Sequence, residues 1–249
     1  MNRFFIEKDS IHGEFITVTG ENHHHMLNVL RLKSQNEIIL CDGDATDYLC
    51  RIDDIHADHA NCHILEAYAS PCEPNLKITL FQGLPKSDKL EHIIQKSVEL
   101  GVHGIVQVET EFTVVKPKKT DGKEDKKLNR LIKISESAAK QSGRGIIPSV
   151  HASVPLKKAI QMAQDFDLVI VAYEKEKETT LKSAIKNFKG ANIAVFIGPE
   201  GGFSPSEIAL FKDAKFELIT LGTRILRTET ASPAVTALIL YELEGAIIK

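Results

Sequence analysis

A glycine-rich turn at residues 198–202, Gly-Pro-Glu-Gly-Gly, has a glutamate at its centre. It follows the apolar run 192–197 and precedes a helix start in which Ser204 and Glu207 match the S-x-x-E pattern of a capping box. A strand, a glycine turn and a helix N-terminus form a layout that binds phosphates. However, neither phosphate-binding glycine fingerprint is present, and Glu200 would repel a phosphate. The turn therefore favours a neutral or cationic ligand, unless its glycines serve only the backbone.

A second polar stretch, residues 221–234 (LGTRILRTETASPA), follows the last predicted strand. It contains Arg224, Arg227 and Glu229 together with three threonines. Ligands of α/β sheets bind beside the carboxyl ends of parallel strands, so this loop and the glycine turn can form one pocket. The alternative is an ordinary surface cluster of ion pairs.

Strands and helices alternate from residue 76 onward. The strand segments NIAVFI and DLVIVA are apolar on both faces, which predicts a parallel sheet covered by helices. One predicted helix begins near 87, where Lys86 and Lys89 give an amphipathic helix a positively charged start. The last helix is predicted to begin at Ser232–Pro233. The sequence thus predicts helices and strands that bring the two polar loops to one edge of a sheet.

The first seventy residues predict a small β-rich module, most simply a barrel. Its five predicted strands are RFFIE, EFITVTG, NEIILCDG, DYLCRIDDI and ANCHILEAYAS. A helical interruption, ENHHHMLNVLRLK, places Met26, Leu27, Leu30 and His23 on one face. The proline-containing segment 71–75 is the predicted linker.

Composition is that of an ordinary globular protein, with 43% hydrophobic and 26% charged residues and a net charge of −3. The N-terminus lacks the apolar core of a signal peptide, so a cytoplasmic protein with reduced, partly buried cysteines is expected. Residues 116–144 hold ten Lys or Arg against four Asp or Glu, which is compatible with a polyanionic partner or with a solvated charged surface. The histidines and cysteine at 56–63 fall on both faces of a predicted hairpin, so no metal site is expected.

Three stretches together resemble the signature blocks of the bacterial 16S rRNA (uridine-N3) methyltransferases, the ribosomal RNA small subunit methyltransferase E family of the SPOUT superfamily. They are residues 84–102, 197–207 and 221–231, and residues 21–33 and 137–148 are similar to two further blocks. The resemblance runs in order over essentially the whole chain. Two features depart from the family pattern: the chain has no tryptophan, and its segment 116–127 is unusually rich in lysine.

The resemblance implies an α/β trefoil-knotted SPOUT methyltransferase domain with a small N-terminal PUA-like β-barrel. The expected organisation is an RNA-binding barrel at 1–70, a linker at 71–75 and the knotted domain at 76–249. It also implies a homodimer that uses S-adenosyl-L-methionine, without a metal, to methylate N3 of a uridine near the decoding region. The implied substrate is 16S rRNA within the assembled 30S subunit.

Site residues follow from the same resemblance. The residues expected to bind the cofactor are Gly198, Glu200, Gly201, Gly202, Leu221, Gly222, Ile225, Leu226 and Arg227. The catalytic candidates are Arg227, Glu229 and Thr230. An arginine can stabilise negative charge on a deprotonated uracil, and Glu229 can act as a base, orient Arg227 or cap the last helix. The candidates for phosphate contacts are Arg3, Arg31, Lys33, Lys86, Lys116, Arg144 and the lysines at 118–127.

Two alternatives stay open on sequence alone. The first is a related knotted methyltransferase that acts on a ribose 2′-O or on tRNA. The second is a nonenzymatic RNA-binding or nucleotide-sensing module with the same fold. The identity of the base and the pose of the RNA are not predicted.

Overall fold

The computed structural model describes residues 1–113 and 123–245. The chain divides into two compact units. The first unit comprises Met1–Glu73 together with Ala139–Ile147, and the second comprises Pro74–Ala138 and Pro148–Lys249. The chain therefore passes from the first unit to the second within the predicted linker at 71–75. The sequence patterns do not predict that residues 139–147 return to the first unit.

Six strands form the sheet of the first unit, in the order β1-β4-β5-β6-β3-β2. They are β1 Arg3–Phe5, β2 Ile11–His12, β3 Phe15–Thr19, β4 Glu37–Cys41, β5 Thr46–Ile55 and β6 His59–Ala69. All five predicted strands are confirmed, and the short β2 is additional. β1 and β4 are parallel and the other neighbours antiparallel. Among the described residues β1 and β2 do not pair with each other, so the hydrogen-bonded ladder of the predicted barrel is open between these two edge strands.

A short helical segment covers this sheet, with α1 at Gly20–His24 followed by a π-helical turn at His25–Val29. Met26 and His23 are buried, as predicted. Leu30, predicted on the same face, is 36% exposed. Its N–H donates to the carbonyl of His25, and this five-residue step rotates Leu30 away from the face that a regular helix would give it.

The core of the first unit consists of the alternating inward side chains of its strands, and it includes three cysteines. Cys41, Cys50 and Cys62 are buried and free, whereas Cys72 is exposed. Burial raises the pKa of the Cys50 and Cys62 thiols to about 12, so both are neutral at physiological pH. The prediction of reduced, partly buried thiols is therefore confirmed.

The second unit is a parallel sheet, as predicted, and its strand order is β12-β10-β11-β7-β8-β9. The strands are β7 Lys77–Gly83, β8 Gly104–Glu109, β9 Ser149–Pro155, β10 Leu168–Ala172, β11 Asn192–Ile197 and β12 Glu217–Ile219. The helices are α2 Ser87–Glu99, α3 Lys123–Ser142, α4 Leu156–Ala163, α5 Leu181–Ile185, α6 Pro205–Asp213 and α7 Thr228–Glu244. The alternation of strands and helices that the sequence predicts from residue 76 onward is confirmed.

Aromatic packing fixes the middle of this sheet. Phe81 on β7 and Phe196 on β11 stack with their ring centroids 4.6 Å apart, and Phe211 of α6 packs edge-on against Phe196. All three rings are buried. Aromatic pairs in such geometries contribute beyond the area that they bury. The packing therefore fixes β7, β11 and α6, which flank the glycine turn.

The last helix begins at Thr228, four residues before the predicted start, and Pro233 lies inside it. Buried side-chain hydrogen bonds hold the early turn: the Thr228 hydroxyl donates to the Gly198 carbonyl at 2.7 Å, and the Ser232 hydroxyl donates to Gln82 Oε1. These partners lie far away in sequence, so capping patterns could not predict the start. No helix among residues 1–113 and 123–245 is long and apolar enough to cross a membrane.

Candidate active site

A cavity of about 450 Å³ lies at the carboxyl ends of β10, β11 and β12. Its walls are formed by three segments: residues 172–174, 197–202 and 220–228. Lys89 and Ala231 complete the lining. The two loops that the sequence pattern proposed as one pocket thus line a single cavity, at the edge where parallel sheets bind ligands.

Close backbone contacts explain the glycines of the turn. A Cβ on Gly198 would lie 2.9 Å from the Cα of Gly202, and Gly202 itself has a positive φ of 68°. On the preceding strand, a Cβ on Gly83 would lie 2.8 Å from the backbone nitrogen of Pro199. Larger residues at these positions would push the loop away from β7. The glycines therefore shape the cavity wall.

The predicted capping box of α6 is confirmed. The Ser204 hydroxyl accepts a hydrogen bond from Glu207 N, and Ser204 N donates to Glu207 Oε2 at 2.9 Å. The other carboxylate oxygen of Glu207 accepts from Glu111 N at 2.8 Å. Protein groups thus occupy the N–H groups of Ser204 and Glu207 at this helix N-terminus, which agrees with a loop that does not hold a phosphate.

Gln82 holds the first turn of α7 in place from inside the protein. Its Nε2 donates to the Thr228 hydroxyl at 2.9 Å, and that hydroxyl donates to the Gly198 carbonyl at 2.7 Å. Ser232 adds bonds to Gln82 Oε1 and to the Thr228 carbonyl. Gln82, Thr228 and Ser232 are all buried. Because the glycine turn and the first turn of α7 share this network, neither can move without breaking buried hydrogen bonds.

Lys89 connects the same two segments at the cavity surface. Its Nζ lies 3.2 Å from Glu200 Oε1 and 3.2 Å from Glu229 Oε2. Burial lowers the pKa of Lys89, but hydrogen bonds and attraction to the two carboxylates outweigh this and leave it raised. For Glu200, burial raises the pKa, and backbone hydrogen bonds together with Lys89 lower it below its usual value. Lys89 and Glu200 are therefore both charged at neutral pH.

All nine residues expected to bind a cofactor line the cavity. Glu200 differs from expectation in one respect, because its charge is paired with Lys89 and its Oε1 also accepts from Lys86 N. Ile225 is 85% exposed, so its side chain is open to solvent at the cavity. The binding roles of these nine residues stay predictions.

The three catalytic candidates occupy different environments. Arg227 lines the cavity with a side chain that is 82% exposed, and its Nη1 lies 4.0 Å from Glu229 Oε1. Glu229 is largely shielded and is paired with Lys89. Thr230 is exposed on the first turn of α7, and its N–H donates to the Arg227 carbonyl. Thr230 is not among the described residues that line the cavity.

The candidates for phosphate contacts separate into two groups. Arg31, Lys33 and Lys86 are exposed. Arg3 instead forms two 2.6 Å hydrogen bonds to Asp47, and the buried Arg144 is paired with Glu73 at 2.6 Å. The structure does not support the predicted phosphate contacts for these two arginines, because their guanidinium groups are occupied inside the first unit. Lys116 and the lysines at 118 and 119 lie outside the described residues.

Sequence reasoning missed several residues that line the cavity, among them Lys89, Tyr173 and Glu174. The latter two directly follow β10, and their position at the carboxyl end of a parallel strand was an available signal. Lys89 was interpreted as an exposed charge at a helix start. Its two partners lie more than a hundred residues away, so the helical pattern alone could not reveal its role.

Comparison with known proteins agrees with this geometry. A family model for the RNA methyltransferase domain matches residues 72–240, and one for the RNA methyltransferase PUA domain matches residues 18–65. The chain is 37% identical over 252 residues to ribosomal RNA small subunit methyltransferase E of Bacillus subtilis (strain 168), with 98% of each protein covered.

Two solved structures are also similar. The ribosomal RNA small subunit methyltransferase E of Neisseria gonorrhoeae, bound to S-adenosyl methionine, is 30% identical with a TM-score of 0.82, covering 97% of this chain and 98% of that one. A methyltransferase of Legionella pneumophila in complex with the same cofactor is 29% identical with a TM-score of 0.80, covering 96% and 97%.

Proposed function

This chain belongs to the ribosomal RNA small subunit methyltransferase E family, and on that premise we propose that it methylates N3 of a specific uridine in 16S rRNA. The methyl donor is S-adenosyl-L-methionine. The target uridine lies near the decoding region, and the substrate is the assembled 30S subunit in the cytoplasm. The family resemblance of the blocks at 84–102, 197–207 and 221–231 supports the uridine-N3 assignment.

The observation that carries the proposal is the single cavity between the glycine turn and the loop 220–228. Its volume of about 450 Å³ falls within the usual range for cofactor sites. The lining combines close backbone approach at Gly198 and Gly202 with the carboxylates of Glu174 and Glu200. The same lining includes the cations Lys89, Arg224 and Arg227, so its charge is mixed, and backbone groups with a carboxylate beside them can take an adenosine and a positively charged sulfur.

When bound, S-adenosyl-L-methionine supplies an electrophilic methyl group on a positively charged sulfur. The protein has to place uridine N3 in line with that methyl and compensate for the loss of the N3 proton. Arg227 is suited to this role because its guanidinium lies at the cavity and is open to solvent, where a flipped base can reach it. Its positive charge would stabilise the negative charge that develops on uracil.

Glu229 is placed to orient Arg227. One of its carboxylate oxygens lies 4.0 Å from Arg227 Nη1, and the other is paired with Lys89. This double contact supports an orienting role, and a role as proton acceptor is the alternative. Thr230 contributes through its backbone, because its N–H is bonded to the Arg227 carbonyl.

RNA docking is assigned to exposed cations of the first unit and of the α2 start. Arg31 and Lys33 lie in the turn that follows the π-helical segment, and both are exposed. Lys86 is the exposed residue before α2. Such residues hold phosphates in a salt-dependent manner and position the RNA.

We further propose the trefoil knot and the homodimer. In support of the knot, the chain leaves the edge strand β12 and returns to place Thr228 between Gln82 and Gly198 in the middle of the sheet. In support of the dimer, α7 exposes Leu238 and Tyr241 on one face. Sedimentation of the wild type and of Tyr241→Glu checks the dimer: the variant should sediment as a monomer.

The function is tested with purified protein, S-adenosyl-L-methionine and 30S subunits from a strain that lacks its own enzyme of this family. Digestion of the 16S rRNA and mass spectrometry of the nucleosides should show 3-methyluridine with the wild type and little with Arg227→Ala. A 2′-O-methylated nucleoside, or methylation of tRNA only, would replace the proposed substrate. Absence of any transfer, in a folded protein that also fails to bind the donor, would favour the nonenzymatic alternative.

A further inference from the structure

Lys89 is the charged group that joins two walls of the cavity. It lies in the first turn of α2, lines the cavity, and contacts Glu200 on the glycine turn and Glu229 on α7. The Glu229 oxygen that it contacts is shielded from solvent. Within the part of the chain that the structure describes, Lys89 is the only cationic side chain that forms an ion pair with that oxygen.

One ammonium group balances the negative charges of both carboxylates in this cluster. Two carboxylates face the same Nζ at 3.2 Å, so the ammonium screens a repulsion that would otherwise push the glycine turn and α7 apart. A lysine ammonium has three N–H donors, so one Nζ within ion-pair distance of both carboxylates can serve the two of them. The contact is made from a third element, α2, so it also fixes both segments relative to the sheet.

We propose that Lys89 is a positioning residue that couples the glycine turn to the first turn of α7, and thereby holds the donor site and Arg227 in one productive arrangement. The proposal rests on the methyltransferase function proposed above. Lys89 acts through Glu200 on the turn that shapes the cavity and through Glu229 on the arginine at the cavity. The buried bond from Thr228 to Gly198 holds the base of both segments, so removal of Lys89 should loosen their cavity-facing residues together.

Helix α2 offers a matched control. Lys96 lies on the same helix and pairs with Glu99 at 2.9 Å, but this pair lies within one turn of α2 and neither residue lines the cavity. Lys96→Met removes one ammonium from the same element, as Lys89→Met does. Differences between the two variants therefore report the position of the charge and not its loss from the helix.

Hydrogen exchange of the protein without cofactor is the first measurement. In Lys89→Met the backbone amides of residues 198–202 and of 228–231 should exchange faster than in the wild type, in both segments at once. Lys96→Met should leave both segments unchanged. Unchanged exchange in Lys89→Met, or faster exchange in only one of the two segments, would overturn the coupling.

Kinetics on 30S subunits give the second measurement. With saturating donor, Lys89→Met should lower kcat about 10- to 100-fold, as small misplacements of reacting groups do. Lys89→Arg should recover part of the loss, because an arginine can bridge the same two carboxylates. A double-mutant cycle with Glu229→Gln should be strongly non-additive. Additive effects, or no rescue by arginine, would mean that Lys89 does not act through Glu229.

The two proposals fail in different ways. If the wild type transfers methyl groups and Lys89→Met does so at the same rate, only the coupling is wrong. If the wild type transfers none, the proposed function is wrong, and the exchange measurement still decides whether Lys89 couples the two segments.

Discussion

Two clusters of cations and carboxylates stand in contrast. In the first unit, Arg144 is 3% exposed, and the Glu73 carboxylate accepts hydrogen bonds from its guanidinium and from the N–H groups of Gly145 and Ile146. In the second unit, Lys89 is 24% exposed and divides its charge between two carboxylates on a cavity wall. The closed cluster stabilises the first unit, whereas the open one keeps charge where a ligand can meet it.

This contrast explains why residue type alone does not predict which arginines can contact a substrate. Arg144 and Arg227 both lie in motifs that resemble blocks of an RNA-modifying family, yet one is buried and the other is 82% exposed. A buried arginine that is paired with a carboxylate is shielded from RNA phosphates. An exposed arginine beside a cavity can contact a substrate, and its loss should leave the fold intact.

The largest effect on stability is expected from Arg144→Met. Among the described residues, this change leaves the Glu73 carboxylate with only the N–H groups of Gly145 and Ile146, and breaking a buried ion pair typically costs about 3–5 kcal/mol. Urea unfolding followed by circular dichroism should show this loss. Lys8→Met is the matched control, because the Lys8–Asp44 pair is exposed and its loss should not change the midpoint. Equal stabilities of Arg144→Met and the wild type would contradict the structural role of the closed cluster.

Arg227→Ala should lower activity and leave stability unchanged. Loss of the charge that stabilises the transition state should lower kcat about 100- to 1000-fold. Calorimetry should show little change in affinity for S-adenosyl-L-methionine, and the melting temperature should not change because the side chain is exposed. An equal loss in turnover and donor affinity would assign Arg227 to cofactor binding only.

Exposed cations of the first unit should act on RNA binding alone. Removing Arg31 or Lys33 should reduce the slope of log affinity for 30S subunits against log salt by about 0.7–0.9 each, if each contacts one phosphate. Lys157→Ala, an exposed lysine on α4, is the control and should leave the slope unchanged. A slope that does not respond to Arg31 or Lys33 would place the RNA on another surface.

The smallest effect concerns pH and Glu200. Its folded pKa lies below the ordinary value of 4.5, so its ion pair stabilises the protein above that pH and stops doing so as the pH falls through the folded pKa. Lys89 has a raised pKa and stays charged throughout this range. Any stability difference between the wild type and Glu200→Gln should therefore be present at neutral pH and disappear in acid. A difference that persists below the folded pKa would contradict the pairing.

Local patterns predicted most of the fold because they depend on short stretches of sequence. The apolar strands of the second unit, the capping box at Ser204 and the two loops of the cavity are all confirmed. The predicted start of α7 at Ser232–Pro233 was wrong: the helix begins at Thr228, whose hydroxyl is hydrogen-bonded to Gln82 and Gly198. Such contacts between distant segments are set by tertiary packing.

The same limit applies to the charged residues. The sequence predicts that a lysine at a helix start is solvent-exposed, because it does not show which residues the fold brings close. In the fold, Glu200 and Glu229 lie beside Lys89. Arg3 was predicted to contact RNA, and it is instead bonded to Asp47 across the sheet of the first unit. Charge is visible in a sequence, whereas its partner is visible only in the fold.

A crystal structure of the protein with S-adenosyl-L-methionine tests the central claim most directly. The account predicts the donor in the cavity, in contact with both the glycine turn 198–202 and the loop 220–228, with its methyl group directed toward the side of Arg227. A donor bound elsewhere on the chain, or a cavity that stays empty at saturating donor, would contradict it.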